Sequence, residues 1–230
     1  MKILYTLNQQ IDGLYLYHLT MPSLDQIDHL VYTAPSLAVG MDKIEALLGI
    51  RPVKGGQHPK WGTHNALLAL GKQCYLEVIA PDPSLVKPQR GLWLDAFFAQ
   101  PPCIATWALQ TASIQQLHST ALHGNILVGE VHRGQRTKND GEVLSWQLTD
   151  PYALPYDGAF PFFISWGLNQ HPSEAIPNAG TLVEFTIAHP ESVALNKGLE
   201  AIGVVIKANQ KETYQLQAKI ETKSGIKTLV

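Results

Sequence analysis

Cysteine, charge and long apolar runs are all scarce in this chain of 230 residues, and each scarcity narrows what it can be. Only Cys74 and Cys103 are present, too few for a disulfide framework at this length, and both lie in apolar surroundings that suit reduced core thiols. Charged residues make up 16% and the formal net charge is −2, with Lys and Arg scattered rather than clustered, so no basic face exists for a phosphate backbone. No apolar run is long enough to cross a bilayer. Near the start, Asn8-Gln9-Gln10 and Asp12-Gly13 interrupt what would have to be a signal-peptide core. Also missing are a phosphate-cradling glycine loop followed by Lys-Ser or Lys-Thr, a Gly-x-Ser-x-Gly nucleophile elbow, a zinc-ribbon cysteine pair, heptads and low-complexity tracts. The expectation is a cytoplasmic protein without nucleic-acid or membrane partners, whose partner is a small-molecule ligand or a second copy of itself.

What is present is a hydrophobic content of 45%, enough for a substantial core, arranged in a repeating order. Residues 27–34 alternate as a strand closed by Pro35-Ser36, and Ser36 caps a helix over Leu37–Leu48 that Gly49 ends. A short strand at 50–53, a Gly55-Gly56 loop and strands near 63–70 and 73–80 follow, the last two joined at Gly71-Lys72, and Asp82-Pro83 ends the unit. After Pro101-Pro102 the order returns: strand 104–111, helix from Ser113 to about Leu122, strand 126–131, a polar loop 133–141 turning at Asn139-Asp140-Gly141, and strands 143–149 and 160–166. A third, shorter copy has a strand at 181–188, a helix from Pro190 to about Ile202 ended by Gly203, and strands at 204–208, 213–221 and 226–230. The predicted class is α+β: repeated βαβββ modules whose curved mixed sheets enclose a cavity, with a third, shorter βαβββ-like module at the C-terminus. The predicted divisions are an arm or extra segment over 1–26, module one over 27–82, module two over 103–175 and module three over 181–230. Three modules leave one sheet edge to cover, so a homodimer is expected.

The chemical lead is a His and a Glu set into apolar strands, His29 in Asp28-His29-Leu30-Val31-Tyr32 and Glu77 in Cys74-Tyr75-Leu76-Glu77-Val78-Ile79. A carboxylate inside such a run must find a partner or change its pKa. Alternation sends Leu30 and Tyr32 toward the helix and His29 with Val31 to the open face. In module three it sends Val183, Phe185 and Ile187 inward and Glu184 with Thr186 to the open face. The Gly55–Asn65 segment carries His58, Lys60, Trp61, His64 and Asn65, and Trp61, His64 and Asn65 are candidate substrate-binding residues. Trp146, Trp166 and Phe162 are candidates for an aromatic pocket wall, His171-Pro172 for its mouth, and Arg133 and Arg136 for an anion contact. Against these stand plain alternatives: aromatic core, solvated loops and a turn at His171.

Several of these stretches resemble one superfamily. Asp28-His29-Leu30-Val31-Tyr32, Leu47-Leu48-Gly49-Ile50-Arg51-Pro52 and Tyr75-Leu76-Glu77-Val78-Ile79-Ala80-Pro81-Asp82 are similar to the vicinal oxygen chelate superfamily. Gly55-Gly56-Gln57-His58-Pro59, Trp61-Gly62-Thr63 with Asn65, Leu144-Ser145-Trp146-Gln147-Leu148 and Pro161-Phe162-Phe163-Ile164 resemble its glyoxalase-like branch, over residues 27–175 and more weakly beyond. The resemblance implies paired modules around a cavity and often a divalent metal (zinc, iron, manganese or nickel) that polarises adjacent substrate oxygens. His29 and Glu77 match ligand positions. Module two departs from the pattern: Thr106, or Trp107 after a one-residue slip, stands where His29 does, and Ser165 where Glu77 does. Either modules one and three pair, Glu184 then supplying a third ligand, or the metal site is lost or rebuilt. The resemblance thus implies a metal-dependent lyase, isomerase or dioxygenase-like enzyme for a small oxygenated metabolite, with His29 and Glu77 catalytic. The alternative is a metal-free protein of the bleomycin-resistance type that sequesters a small molecule.

Overall fold

The computed structural model describes residues 10–11, 14–15, 24–137 and 143–230. Most of the predicted arm, the side chain of Arg136 and the Asn139-Asp140-Gly141 turn lie outside the described residues. Strands β1 (Gln10–Ile11) and β2 (Leu14–Tyr15) pair antiparallel. After a 3-10 turn at Leu24–Gln26 the first module runs β3 (Ile27–Thr33), α1 (Leu37–Leu48), β4 (Val53–His58), β5 (Thr63–Ala69) and β6 (Tyr75–Pro81). A connection with the one-turn helix α2 (Asp95–Phe98) leads to β7 (Cys103–Gln110), α3 (Ile114–His123), β8 (Val131–Thr137), β9 (Val143–Thr149) and β10 (Phe162–Ser165). The third unit is β11 (Thr181–His189), α4 (Ser192–Ala201), β12 (Ala208–Gln210), β13 (Gln215–Thr222) and β14 (Gly225–Leu229).

The first two modules share one curled eight-stranded sheet in the order β4-β5-β6-β3-β7-β10-β9-β8. Within each, the first strand lies parallel to the last, and the two halves join where β3 and β7 run antiparallel. Module one therefore pairs with module two, not with module three. The third unit repeats the element order but forms a separate sheet, β12-β11-β13-β14, with its first strand between the second and third.

Each sheet face has its own core. On the helix side, Leu30, Tyr32, Leu76, Val78, Trp107 and Phe163 pack with Met41 and Ile44 of α1, Ile114 of α3 and Phe185, Ile187 and Leu216 of the small sheet. Trp107 and Phe185 meet edge to face at 5.3 Å. The concave face presents Val31, Tyr75, Ile79, Ala105, Ala108, Phe162 and Ile164, covered by Trp93, Leu94 and Phe98 of the inter-module connection. Where a hollow is expected, the concave face carries a packed, largely aromatic core strapped over by the connection, whose Trp93 indole N–H donates to the Pro151 carbonyl at 2.8 Å.

Local chemistry explains the boundaries. Ser36, in extended backbone, accepts the Val39 N–H, and Gly49, with φ 79°, returns its N–H to Glu45. Three expectations shift. The Gly55-Gly56 pair lies inside β4, at a bulge between Lys54 and Gln57, because a side chain at Gly55 would overlap the Asn65 amide. The strand expected at 126–131 begins only at Val131, and β8 occupies the polar stretch expected as a loop. It is an edge strand, whose Gly134 makes room for the Trp146 ring. Val183 is 40% exposed rather than inward, because β11 has a bulge between Leu182 and Glu184. Cys74 is buried, Cys103 partly so, and both are free thiols; burial pushes the thiol pKa of each upward.

Gly180, which leads into β11, has φ 153°, and a Cβ there would overlap the Glu221 carbonyl oxygen. Among the described residues nothing lies within 4 Å of the Cβ that Gly49 lacks. Gly49→Ala should therefore lose about 1 kcal/mol through the left-handed backbone alone. Gly180→Ala should lose about 3 kcal/mol, because strain and overlap add. Urea unfolding with an unchanged slope measures both, and equal losses would contradict the packing described at the small sheet.

Candidate functional site

The site begins with a bulge. In the β3–β7 ladder Ile27 pairs with Leu109 and His29 with Ala108, leaving Asp28 as the extra residue. The bulge re-aims β3: Ile27 joins the helix-side core, while Asp28 bonds to His29 and to Trp166 of the concave-side core. Asp28 is fully buried and accepts three hydrogen bonds: His29 Nδ1–H at 2.6 Å, Trp166 Nε1–H at 2.7 Å and His171 Nε2–H at 3.2 Å. Burial alone would push this carboxyl up; the hydrogen bonds from His171 and His29 together outweigh it and hold Asp28 below the usual aspartate value. His171 accepts the Ser173 N–H on Nδ1 at 3.2 Å, which places its own proton on Nε2, toward Asp28.

His29 uses Nδ1 on Asp28 and turns Nε2 to Glu77 Oε2 at 3.5 Å. Its ring stacks on Tyr75 at 4.6 Å and meets the edge of Phe162 at 5.4 Å. Glu77 comes from the neighbouring parallel strand β6. Its Oε1 accepts from Asn65 Nδ2 at 2.6 Å, and Asn65 Oδ1 accepts the Gly56 N–H at 2.8 Å. That second bond fixes which end of the amide faces the carboxylate. The glycine bulge thus positions Asn65, and Asn65 positions Glu77. His58, held by Thr63 Oγ1 at 3.1 Å, brings Nε2 to 4.0 Å from Glu77 Oε1 and lies against Trp61. Water has little access: His29 is 3% and Glu77 6% exposed.

Of the residues expected at a site, His29, Glu77 and Asn65 come together directly, and Trp166 and His171 join them through Asp28. Trp61 stands one ring further out, between His58 and Trp93. His64 does not join: it points away from Asn65 and has Nδ1 3.4 Å from Asp82. Burial would raise the Asp82 carboxyl, but hydrogen bonds from Ser84 and Gln57 and the charge of His64 hold it low. Trp146 packs on Trp166 at 5.5 Å, half-buried at the rim. Arg133 is exposed on β8. Glu184 is corrected outright: it stands exposed on the small sheet, paired with Lys219 at 2.8 Å, because the third unit packs on the helix side of the large sheet. Thr106 donates to the Gly158 carbonyl at 3.0 Å, and Trp107 points into the helix-side core. Sequence reasoning missed Asp28 and His58. Unbroken alternation would put Asp28 with Leu30 and Tyr32 on the apolar helix face, and a carboxylate there without a partner is itself the signal of a bulge.

The donor set bears on a metal. His29 Nε2 and Glu77 Oε2 are near enough to meet one ion, but among the described residues no group of three His, Cys, Asp or Glu side chains could hold it. Glu77 Oε1 is already bound by Asn65. The residues present do not fit a site with three protein ligands.

Asp28→Asn should destabilise the fold by roughly 3 kcal/mol at neutral pH, since it removes the charge that His29, Trp166 and His171 converge on. Because the folded carboxyl lies below its unfolded value, this contribution is complete above the unfolded aspartate range and is lost as pH falls through the folded value. The gap between wild-type and variant stability should therefore narrow in acid. A gap that stays constant or widens would contradict an ionised Asp28.

A family model described as a glyoxalase-like domain matches residues 27–203. No curated protein matches the chain. Among solved structures, a hypothetical protein from Staphylococcus aureus is similar with a TM-score of 0.57 at 15% identity, covering 86% of this chain and 81% of that one. A Streptomyces coelicolor methylmalonyl-CoA epimerase in complex with 2-nitronate-propionyl-CoA is similar with a TM-score of 0.43 at 14% identity, covering 64% of this chain and 100% of that one. The epimerase from Mycobacterium tuberculosis has a TM-score of 0.40 at 18% identity, covering 68% and 98%. The Staphylococcus likeness concerns the fold. With most of its length matched by the family model and its first two modules joined through β3 and β7, the chain belongs to the glyoxalase-like domain family of the vicinal oxygen chelate superfamily.

Proposed function

We propose that the protein is a lyase or isomerase that moves a proton on a small oxygenated metabolite, with Glu77 and His29 as its acid–base pair. The observation that carries this reading is the run of contacts Asp28–His29–Glu77. Asp28 holds His29 in the tautomer whose Nε2 lone pair faces Glu77, and its charge supports the imidazolium formed when Nε2 takes a proton. Glu77 and His29 then offer two exchangeable proton positions within one low-dielectric site. The unprotonated one removes a proton from a carbon beside a carbonyl and keeps it; the other, already protonated, delivers its own proton to carbon or to the neighbouring oxygen. The Asn65 amide holds Glu77 in place throughout. A dioxygenase is less well supported, since this chemistry calls for a metal-binding triad and the described side chains supply two members of one. The cytoplasm and a homodimer joined through an exposed sheet edge complete the reading.

The second reading, sequestration of an aromatic small molecule, is favoured by the ring-lined concave face of Tyr75, Phe162 and Trp93. Turnover separates the two.

Deuterium uptake from solvent into small hydroxycarbonyl compounds, followed by NMR, tests proton transfer. Wild-type protein should catalyse exchange, and Glu77→Gln should slow it by about 100-fold or more while melting normally. No exchange across the panel, or an unchanged Glu77→Gln rate, would remove the enzyme reading. Added zinc, manganese or nickel should leave the melting temperature in place; a saturable rise would restore a metal-dependent mechanism.

A further inference from the structure

At one end of the curled sheet, beyond the last residues of β7 and β10, lies a half-open cavity of about 380 Å³. It lies at the small end of the range for ligand pockets. Its walls include Gln110, Ser165, Trp166, Asn169, His171 and Glu174, and among the described residues neither Lys nor Arg lines it. The inner wall is Trp166 and His171, the two module-two residues that donate to Asp28. The cavity is therefore separated from Asp28 by one layer of side chains.

The wall has an open valence. Gln110 Oε1 is buried and, among the described residues, has no hydrogen-bond partner. Orphaned buried oxygens of this kind are uncommon, because each forgoes the hydrogen bonds it would make in water. Several other polar wall groups have partners. Asn169 Nδ2 donates to the carbonyls of Ser145 and Trp166, Gln170 Nε2 donates to Glu174 Oε2 at 3.0 Å, and both ring nitrogens of His171 are engaged.

We propose that this cavity binds a neutral, hydroxyl-bearing small molecule, one hydroxyl of which donates to Gln110 Oε1. Three features select that class. A carboxylate or phosphate would meet Glu174 and no cationic side chain, so an anion is disfavoured. An apolar ligand would leave Gln110 Oε1 orphaned. A hydroxyl both donates and accepts, so it satisfies the Gln110 amide whichever way that group is turned. Trp166 and His171 supply ring surface for the ligand's carbon skeleton. That the ligand is also the substrate rests on the acid–base reading; the binding itself does not.

The test uses the full-length, ¹⁵N-labelled protein titrated with xylose and erythritol, and in parallel with glycolate and inorganic phosphate. The neutral compounds should shift the Gln110 side-chain amide and the Trp166 indole N–H saturably and leave the Trp93 indole in place. The anions should shift none of these. Gln110→Leu should weaken binding about tenfold, the effect of one unmade hydrogen bond to a buried acceptor, and Glu77→Gln should bind as wild type does. The wild-type shifts stand as a readout even where the Gln110 variant folds poorly. The proposal is overturned when neither compound shifts Gln110, when the anions bind better, or when a folded Gln110→Leu binds equally well. Exchange lost in Glu77→Gln with no polyol at Gln110 would sink this inference alone; polyol at Gln110 with exchange unaffected would sink only the acid–base reading.

Discussion

A carboxylate removed from water must be surrounded by donors, and the arrangement around Asp28 follows from that requirement. Its three donors come from both halves of the large sheet: His29 from module one, Trp166 and His171 from beyond the last strand of module two. The same bonds therefore bind the halves together, orient an imidazole and keep a negative charge at the centre of an otherwise apolar layer. Losing one donor would leave the charge under-compensated, which is far more costly than never having buried it.

The second support works by the same logic on a smaller scale. Glu77 is kept in place by Asn65, and Asn65 by a backbone N–H that only a glycine bulge can bring so near. Two bulges, one at Asp28 and one at Gly55-Gly56, thus converge on one His–Glu pair. Bulges redirect side chains without changing the strands around them, which is why the regular ladder persists on either side.

The remaining parts enclose this centre rather than build it. Helices α1, α3 and α4 and the small sheet cover the convex face. The connection with Trp93, Leu94 and Phe98 covers the concave one. The third unit keeps the element order of the others but places its first strand differently, so it neither extends the large sheet nor brings Glu184 near the site.

Local patterning carried much of the fold. The spacing of Leu37, Met41, Ile44 and Leu48 with Ser36 and Gly49 at the ends determined α1, and alternation determined which faces Leu30, Val31 and Tyr32 take. The pairing of His29 with Glu77 was legible too, because polar groups stand out in apolar strands and the two strands lie side by side. Edge strand β8 was not, since a solvated edge needs no apolar face and reads as a loop. Nor was the role of Asp28: a one-residue bulge overturns alternation, and its cause is a ladder register set against a strand some eighty residues away in the chain, the kind of long-range constraint that no local pattern encodes. The sequence by itself determined the order of elements in the modules and the imidazole and carboxylate set into their apolar strands. Only the tertiary structure decided which modules pair, what covers the concave face, and that a buried carboxylate holds the imidazole, because all of these depend on contacts between segments distant in the chain.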